Sequence, residues 1–136
     1  MSERDQNRAE QERWLRQAER DLAAARANSL AGFDEWACFL SQQAAEKAIK
    51  AFLYGTGERP VLGHSIQKLL RDAGSHDPTF AELAGAKRLD EVYIPSRYPN
   101  GLEETTPGEF YGPEDSRECM DLAARVIAHV KTQGAI

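Results

Sequence analysis

Between Phe33 and Tyr54 the chain carries apolar residues on two sides of one helix, a pattern that is stable only in the middle of a bundle. At 100° per residue, Phe33, Ala37, Leu40, Ala44, Ala48 and Ala51 share one side, and Cys38, Ala45, Ile49 and Leu53 cover much of the opposite side. Gly55 and Gly57 follow, residues able to take the left-handed conformation that closes helices. A helix that buries two faces needs neighbours on both, so the remaining segments should supply them.

They do so with helical periods. From about Asn7 to Asn28, Trp14, Ala18, Leu22 and Ala25 recur every three or four positions, and residues 1–6 are expected to fray. Asp34 stands where a capping carboxylate would start the central helix. Ser65 to Ala73 forms a short helix with Ile66, Leu69 and Leu70 inward, stopped by Gly74. Asp77 and Pro78 mark a fourth start, with Leu83, Ala86, Leu89 and Tyr93 on its inner side and Pro95 as its stop. Residues 95–112 have no period and read as a long connection, partly packed down by Tyr98, Phe110 and Tyr111. Pro113, Glu114 and Asp115 open the last helix, whose Cys119, Leu122, Ala123, Val126, Ile127 and Val130 make a core-facing stripe. No alternating apolar run bounded by hairpin turns occurs, so no sheet is expected. The expectation is one all-α domain over residues 1–136, an antiparallel bundle of about five helices.

Charge narrows the partners. The formal net charge of −5 repels phosphate polymers on average, which disfavours DNA and non-specific nucleic-acid binding. A local basic patch can still take a nucleotide or a specific RNA, because screening limits distant charges to roughly 10 Å at ordinary salt. Nowhere do 18 apolar residues run in succession and the first residues form no apolar leader, so a cytoplasmic protein without a membrane partner is expected. Cys38 and Cys119 fall on helical stripes and read as buried, reduced core residues. Glycine-rich phosphate loops, HExxH, CxxC and GxSxG are all missing, and His64, His76 and His129 are scattered, so no metal or cofactor is expected.

The polar residues that remain are few. Gln43, Glu46, Lys47 and Lys50 form one narrow stripe on the central helix, with Trp36 and Tyr54 near its ends. It reads as a solvated edge, with a Glu46–Lys50 pair worth about 0.2–0.5 kcal/mol, or as one wall of a site. Asp90 lies beside the apolar stripe of the fourth helix and needs a partner if buried, for which Lys47 and Arg97 are the natural candidates. His64 precedes the short third helix, where it can cap free amides or line a pocket mouth, while His129, near the end of the last helix, suits that carbonyl-rich terminus.

The segments WLRQAERDLAAA, FLSQQAAEKAIKAFLYGTG, GHSIQKLL and LDEVYIPSRYP, taken in order with the final helix, resemble the successive signatures of bacterial and archaeal HEPN domains. The resemblance implies an up-and-down four-helix core, homodimers, and frequent partnership with a small nucleotidyltransferase in toxin–antitoxin-like modules. Many members are metal-independent ribonucleases whose motif is arginine, four to six residues, then histidine. Arg97 matches the first half, but Leu102, Glu103 and Glu104 stand where the histidine belongs. Loss of the imidazole removes an acid–base term worth about 10²–10⁴ in rate, and glutamates at the mouth repel RNA phosphates. The expectation is a non-catalytic homodimer that binds a nucleotide or a nucleotidyltransferase partner. Its cleft would be formed by Lys47, Lys50, His64, Arg97 and Tyr98, supported by Gln43, Glu46 and Asp90. Two alternatives stand beside it: a ribonuclease toxin with a substituted acid or base, His64 among the candidates, and a scaffold in which Asp90, Lys47 and Arg97 hold the long loop. Tyr98 and Tyr111 are the tyrosines a nucleotidyltransferase could modify.

Overall fold

The computed structural model describes residues 1–133, and every element among them is helical. α1 runs over Glu3–Leu30 and α2 over Asp34–Gly55, joined by a turn in which Gly32 takes a φ of +88°. Ser2 caps α1 by accepting from the Asp5 amide, which extends the helix through residues 3–6, where fraying was expected. Phe33, not Asp34, is the N-cap of α2. Asp34 turns instead to the last helix, α5 (Pro113–Gln133), accepting a hydrogen bond from the buried Ser116 hydroxyl at 2.8 Å.

α2 is the innermost element. It packs on α1, on α3 (Ile66–Gly74) and on α5 (Pro113–Gln133). Ala37, Ala44, Ala48 and Ala51 on one side, and Cys38, Ala45, Ile49 and Leu53 on the other, are fully buried, whereas Leu40 is half-buried and Phe33, at the helix start, is exposed. The small alanines of one side and the larger Ile49 and Leu53 of the other belong to one continuous core. Both cysteines are free and buried.

The fourth segment departs from the reading as an α-helix. Pro78–Val92 is a 3-10 helix of 15 residues, far longer than the three or four such helices usually reach. Its buried residues are Phe80, Leu83, Ala86, Leu89 and Val92, spaced by three throughout. At three residues per turn these side chains stack in one straight row over the core, and burial of each large one stabilises by roughly 1.5–3 kcal/mol. Tyr93, placed inward by the sequence reading, lies past the end of this row and is only half-buried. Further ties hold the segment: Asp77 caps it through the Thr79 amide, Thr79 meets His129 Nε2 of α5 at 2.9 Å, and Arg88 pairs with Glu118 at 3.1 Å.

Residues 95–112 are ordered by two short elements, a 3-10 turn at Pro99–Gly101 and the single-turn α4 at Pro107–Phe110. Tyr111 is buried and Tyr98 is half-exposed. No helix among the described residues is long and apolar enough to cross a membrane.

Candidate functional site around Arg97

On α2 the residues Trp36, Phe39, Gln43, Glu46 and Lys50 follow one another at spacings of three and four, which places them in a single row along the helix. The row leads from an exposed aromatic end at Trp36 to a buried polar end at Lys50. Facing its middle is the segment that leaves the 3-10 helix, Tyr93 to Tyr98.

Arg97 is the hub of that contact. Its guanidinium carbon lies 4.2 Å from the Phe39 ring centre, 4.8 Å from that of Tyr93 and 5.2 Å from that of Tyr98. Its Nε donates to the Tyr93 carbonyl at 3.0 Å, and neighbouring Ser96, fully buried, donates to the Val92 carbonyl. One edge of the guanidinium is therefore spent on holding its own position, and its terminal nitrogens have no carboxylate partner among the described residues. A cation over aromatic faces gains about 0.5–2 kcal/mol per good contact, so the rings fix the group without neutralising it. That leaves a planar, permanently charged donor edge suited to a phosphate.

His64 joins the cluster from the loop before α3. Its ring stacks on Tyr93, with centres 5.2 Å apart and planes 20° from parallel. Because the guanidinium and the imidazole lie 4.8 and 5.2 Å from one ring centre, they are no more than 10.0 Å from each other. The His64 Nδ1 sits 3.2 Å from both carboxylate oxygens of Glu46. Glu46 is itself buried and held by the Lys50 ammonium at 3.1 Å and the Gln42 amide at 3.3 Å. A carboxylate paired with an ammonium has no hydrogen to give, so Nδ1 carries the hydrogen of this contact, and in the neutral ring that leaves the lone pair on Nε2. The imidazole side chain is 59% exposed. Gln42, fully buried, also donates to the His64 carbonyl at 3.0 Å and accepts from Gln43 at 2.7 Å, which fixes the loop as well as the ring.

The residues singled out from sequence are thus only partly brought together. His64, Arg97 and Tyr98 share the cleft, with Glu46 behind His64 and Gln43 behind Gln42. Lys50 is buried, neutralises Glu46 and lies 5.9 Å from the Trp14 ring centre. Lys47 points the other way: it pairs with Asp21 of α1 at 2.6 Å and lines a separate pocket of about 250 Å³ with Arg13, Trp14 and Gln17. Asp90 is not the partner of Lys47 or Arg97. Its carboxylate receives the Ile66 amide at 2.6 Å and the Gln67 amide at 3.0 Å, capping α3 from the 3-10 helix. A helix start offers free amides and a positive dipole end, and these satisfy the carboxylate as a side-chain cation would. Phe39 and Tyr93 are the cleft residues that sequence reasoning missed. The signal for Phe39 was its place in the row with Gln43 and Glu46.

No group of histidine, cysteine or acidic residues among the described residues is arranged to hold a metal.

With this geometry in place, comparison with known proteins is direct. The HEPN domain model matches residues 11–133. A protein of Methanocaldococcus jannaschii named "Putative toxin MJ1304" is 28% identical over 127 residues, covering 87% of this chain and 84% of that protein. The crystal structure of TT1696 from Thermus thermophilus superposes with a TM-score of 0.85 at 35% identity, covering 90% of this chain and 96% of that one. The crystal structure of ST0689, described as an archaeal HEPN homologue, gives a TM-score of 0.74 at 44% identity with the same coverage, 90% and 96%. The chain belongs to the HEPN family.

Proposed function

We propose that the chain is the HEPN member of a toxin–antitoxin-like module, a homodimer whose Arg97 cleft binds the phosphate of a nucleotide or RNA and which associates with a small nucleotidyltransferase. The observation that carries this reading is the guanidinium of Arg97, clamped by Phe39, Tyr93 and Tyr98 yet without a carboxylate partner among the described residues. The half-exposed Tyr98 ring beside it offers a face to a base. Toxin-like character is supported by the similarity to the archaeal protein of that name. Calorimetric titration with a nucleoside monophosphate and with a short single-stranded RNA tests the cleft. Arg97→Ala should weaken binding about 10- to 100-fold, the worth of a charge-assisted contact. Light scattering tests the dimer, and co-expression with a neighbouring nucleotidyltransferase tests the partner. If the wild type binds neither ligand and retains no nucleotidyltransferase, the reading fails.

A second reading, a metal-independent ribonuclease, is favoured by one observation: His64, although outside the arginine–histidine motif, is oriented by Glu46 and stacked on the ring that also carries Arg97. Its Nε2 would take the proton of a ribose 2′-hydroxyl as that oxygen attacks phosphorus, with Arg97 stabilising the charge on the phosphoryl oxygens. The 5′-oxygen would leave with a proton from water, a 2′,3′-cyclic phosphate would remain, and His64 would return its proton to the hydroxide so formed. Incubation of RNA with the protein in excess EDTA tests it. Cleavage that His64→Ala abolishes supports catalysis, and intact RNA after hours leaves binding as the function.

A further inference from the structure

A second concavity, about 500 Å³ in volume, opens between α3 and the 3-10 helix. Its origin lies in the unequal lengths of the two elements. At 2.0 Å per residue the 15-residue 3-10 helix is roughly twice as long as nine-residue α3 at 1.5 Å, yet both of its ends are tied to α3. The four-residue step from Gly74 to Pro78 closes one end, and the Asp90 cap on Ile66 and Gln67 closes the other. The longer element cannot lie flush along the shorter one, and a trough remains.

Its chemistry is two-part. Phe80 and Leu70, both buried, line it together with Ala81 and Ala84, whose small side chains stand one above the other at the three-residue period. Lys87 continues the same row, and Arg71 stands on the α3 wall. The other cations of the same two helices are paired: Lys68 with Asp72 at 2.9 Å, and Arg88 with Glu91 at 3.2 Å and Glu118 at 3.1 Å. Arg71 and Lys87 have no such partner among the described residues, in a chain whose net charge is −5. The two unneutralised cations of this hairpin are therefore the two that line its trough.

We propose that this trough binds a small amphipathic carboxylate, with an acyl or aryl body on the exposed Pro78–Ala81–Ala84 surface and its carboxylate answered by Arg71 and Lys87. A simple anion is too small: a water-sized species occupies about 30 Å³, whereas this volume falls within the range of about 300–1,000 Å³ usual for organic ligands. A polyphosphate would find too few donors and would leave the apolar wall unused. The site lies apart from the Arg97 cleft and does not depend on how that cleft functions.

Decanoate below its aggregation threshold is the probe, with decanol and anionic phospholipid vesicles as the other arms, followed by calorimetry and vesicle co-sedimentation. Saturable one-to-one decanoate binding is expected, weakened about 10-fold or more in Arg71→Gln/Lys87→Gln and retained in Arg97→Ala. Ala84→Trp, at an exposed position, should fill the trough and abolish binding, its circular dichroism reporting that it is folded. Decanol should bind at least about 10-fold more weakly than decanoate, because the cations contribute nothing to an alcohol. The proposal is overturned if decanoate does not bind, if decanol binds equally well, if the double glutamine variant keeps full affinity, or if vesicles are bound and free decanoate is not.

Discussion

Lys50→Met is the most informative single change in this molecule. The Lys50 and Glu46 side chains are 7% and 6% exposed and meet at 3.1 Å, so a pair expected on a solvated edge is in fact buried. An exposed pair of this spacing contributes about 0.2–0.5 kcal/mol and could be deleted without notice. A buried one behaves differently, because methionine would fill the space of the lysine stem while leaving the Glu46 charge without its ammonium. The cost of breaking a buried pair in this way is about 3–5 kcal/mol, its lower end applying here because Gln42 and His64 still donate to Glu46, and it is a large share of the 5–15 kcal/mol that stabilises a typical domain. For a chain of 136 residues this corresponds to a fall of roughly 10–20 °C in Tm. The double variant Glu46→Leu/Lys50→Met should recover most of the loss, because it removes both charges together. Gln42 keeps its bond to the His64 carbonyl, and the exposed His64 ring needs no replacement partner. Urea denaturation gives both numbers, with an unchanged m-value showing that only stability has moved. If Lys50→Met costs less than about 1 kcal/mol, or if the double variant is worse than either single one, the account of a buried, mutually dependent pair is wrong.

Other consequences can be read from single contacts. Asp90→Ala should cost about 1–2 kcal/mol and speed hydrogen exchange at the Ile66 and Gln67 amides, and Asp90→Asn, which keeps one acceptor oxygen where the two amides use two, should restore only part of the loss. At Gly55 an added Cβ would lie 2.8 Å from the amide carbon of Gln11, the movable end of a flexible side chain, so Gly55→Ala should cost less than about 1 kcal/mol, and Gln11→Ala in the same chain should remove even that. Hydrogen bonding to Cys119 and then burial hold the Cys38 thiol far above the usual cysteine range, so it should resist thiol reagents until the protein unfolds. Because the folded value is the higher one, the unfolded chain releases its proton first. Stability is then intact below about pH 8.5 and declines as pH rises above it, a slope that Cys38→Ala should flatten in urea titrations between about pH 7 and 10.

The central position of α2 was legible because it depends on local period alone: two apolar faces on one helix admit no other location. The fourth segment was misread for a reason equally local. Leu83, Ala86 and Leu89 suit a period of either 3.0 or 3.6, and a helix of 3.6 residues per turn then directs the next inward step to Tyr93. Extended in both directions, however, the row includes Phe80 and Val92, and five apolar residues at strict intervals of three drift around an α-helix by about 60° per step. Only a 3-10 helix keeps all five on one face. The spacing was present in the sequence, but a 3-10 run of this length is so uncommon that the common period displaced it.

The cleft was harder to read, because neighbours across a bundle are not set by period. Glu46 and Lys47 are adjacent in sequence and so lie about 100° apart around α2. That angle is enough to aim one at His64 and the other at Asp21, and nothing in a helical wheel says which element stands opposite which flank. The stripe is therefore two environments, and Lys47 and Lys50 do not join the Arg97 cleft as free cations: both are paired with carboxylates, whereas Arg97 has no acidic partner among the described residues. Asp90 shows the same limit from the other side: its partner is a helix terminus, and helix termini become partners only once the chain has folded back. What local pattern does hold is the row Trp36, Phe39, Gln43, Glu46, Lys50. Aromatic residues at one end and charged ones at the other place the ring that clamps Arg97 on the same line as the carboxylate that orients His64.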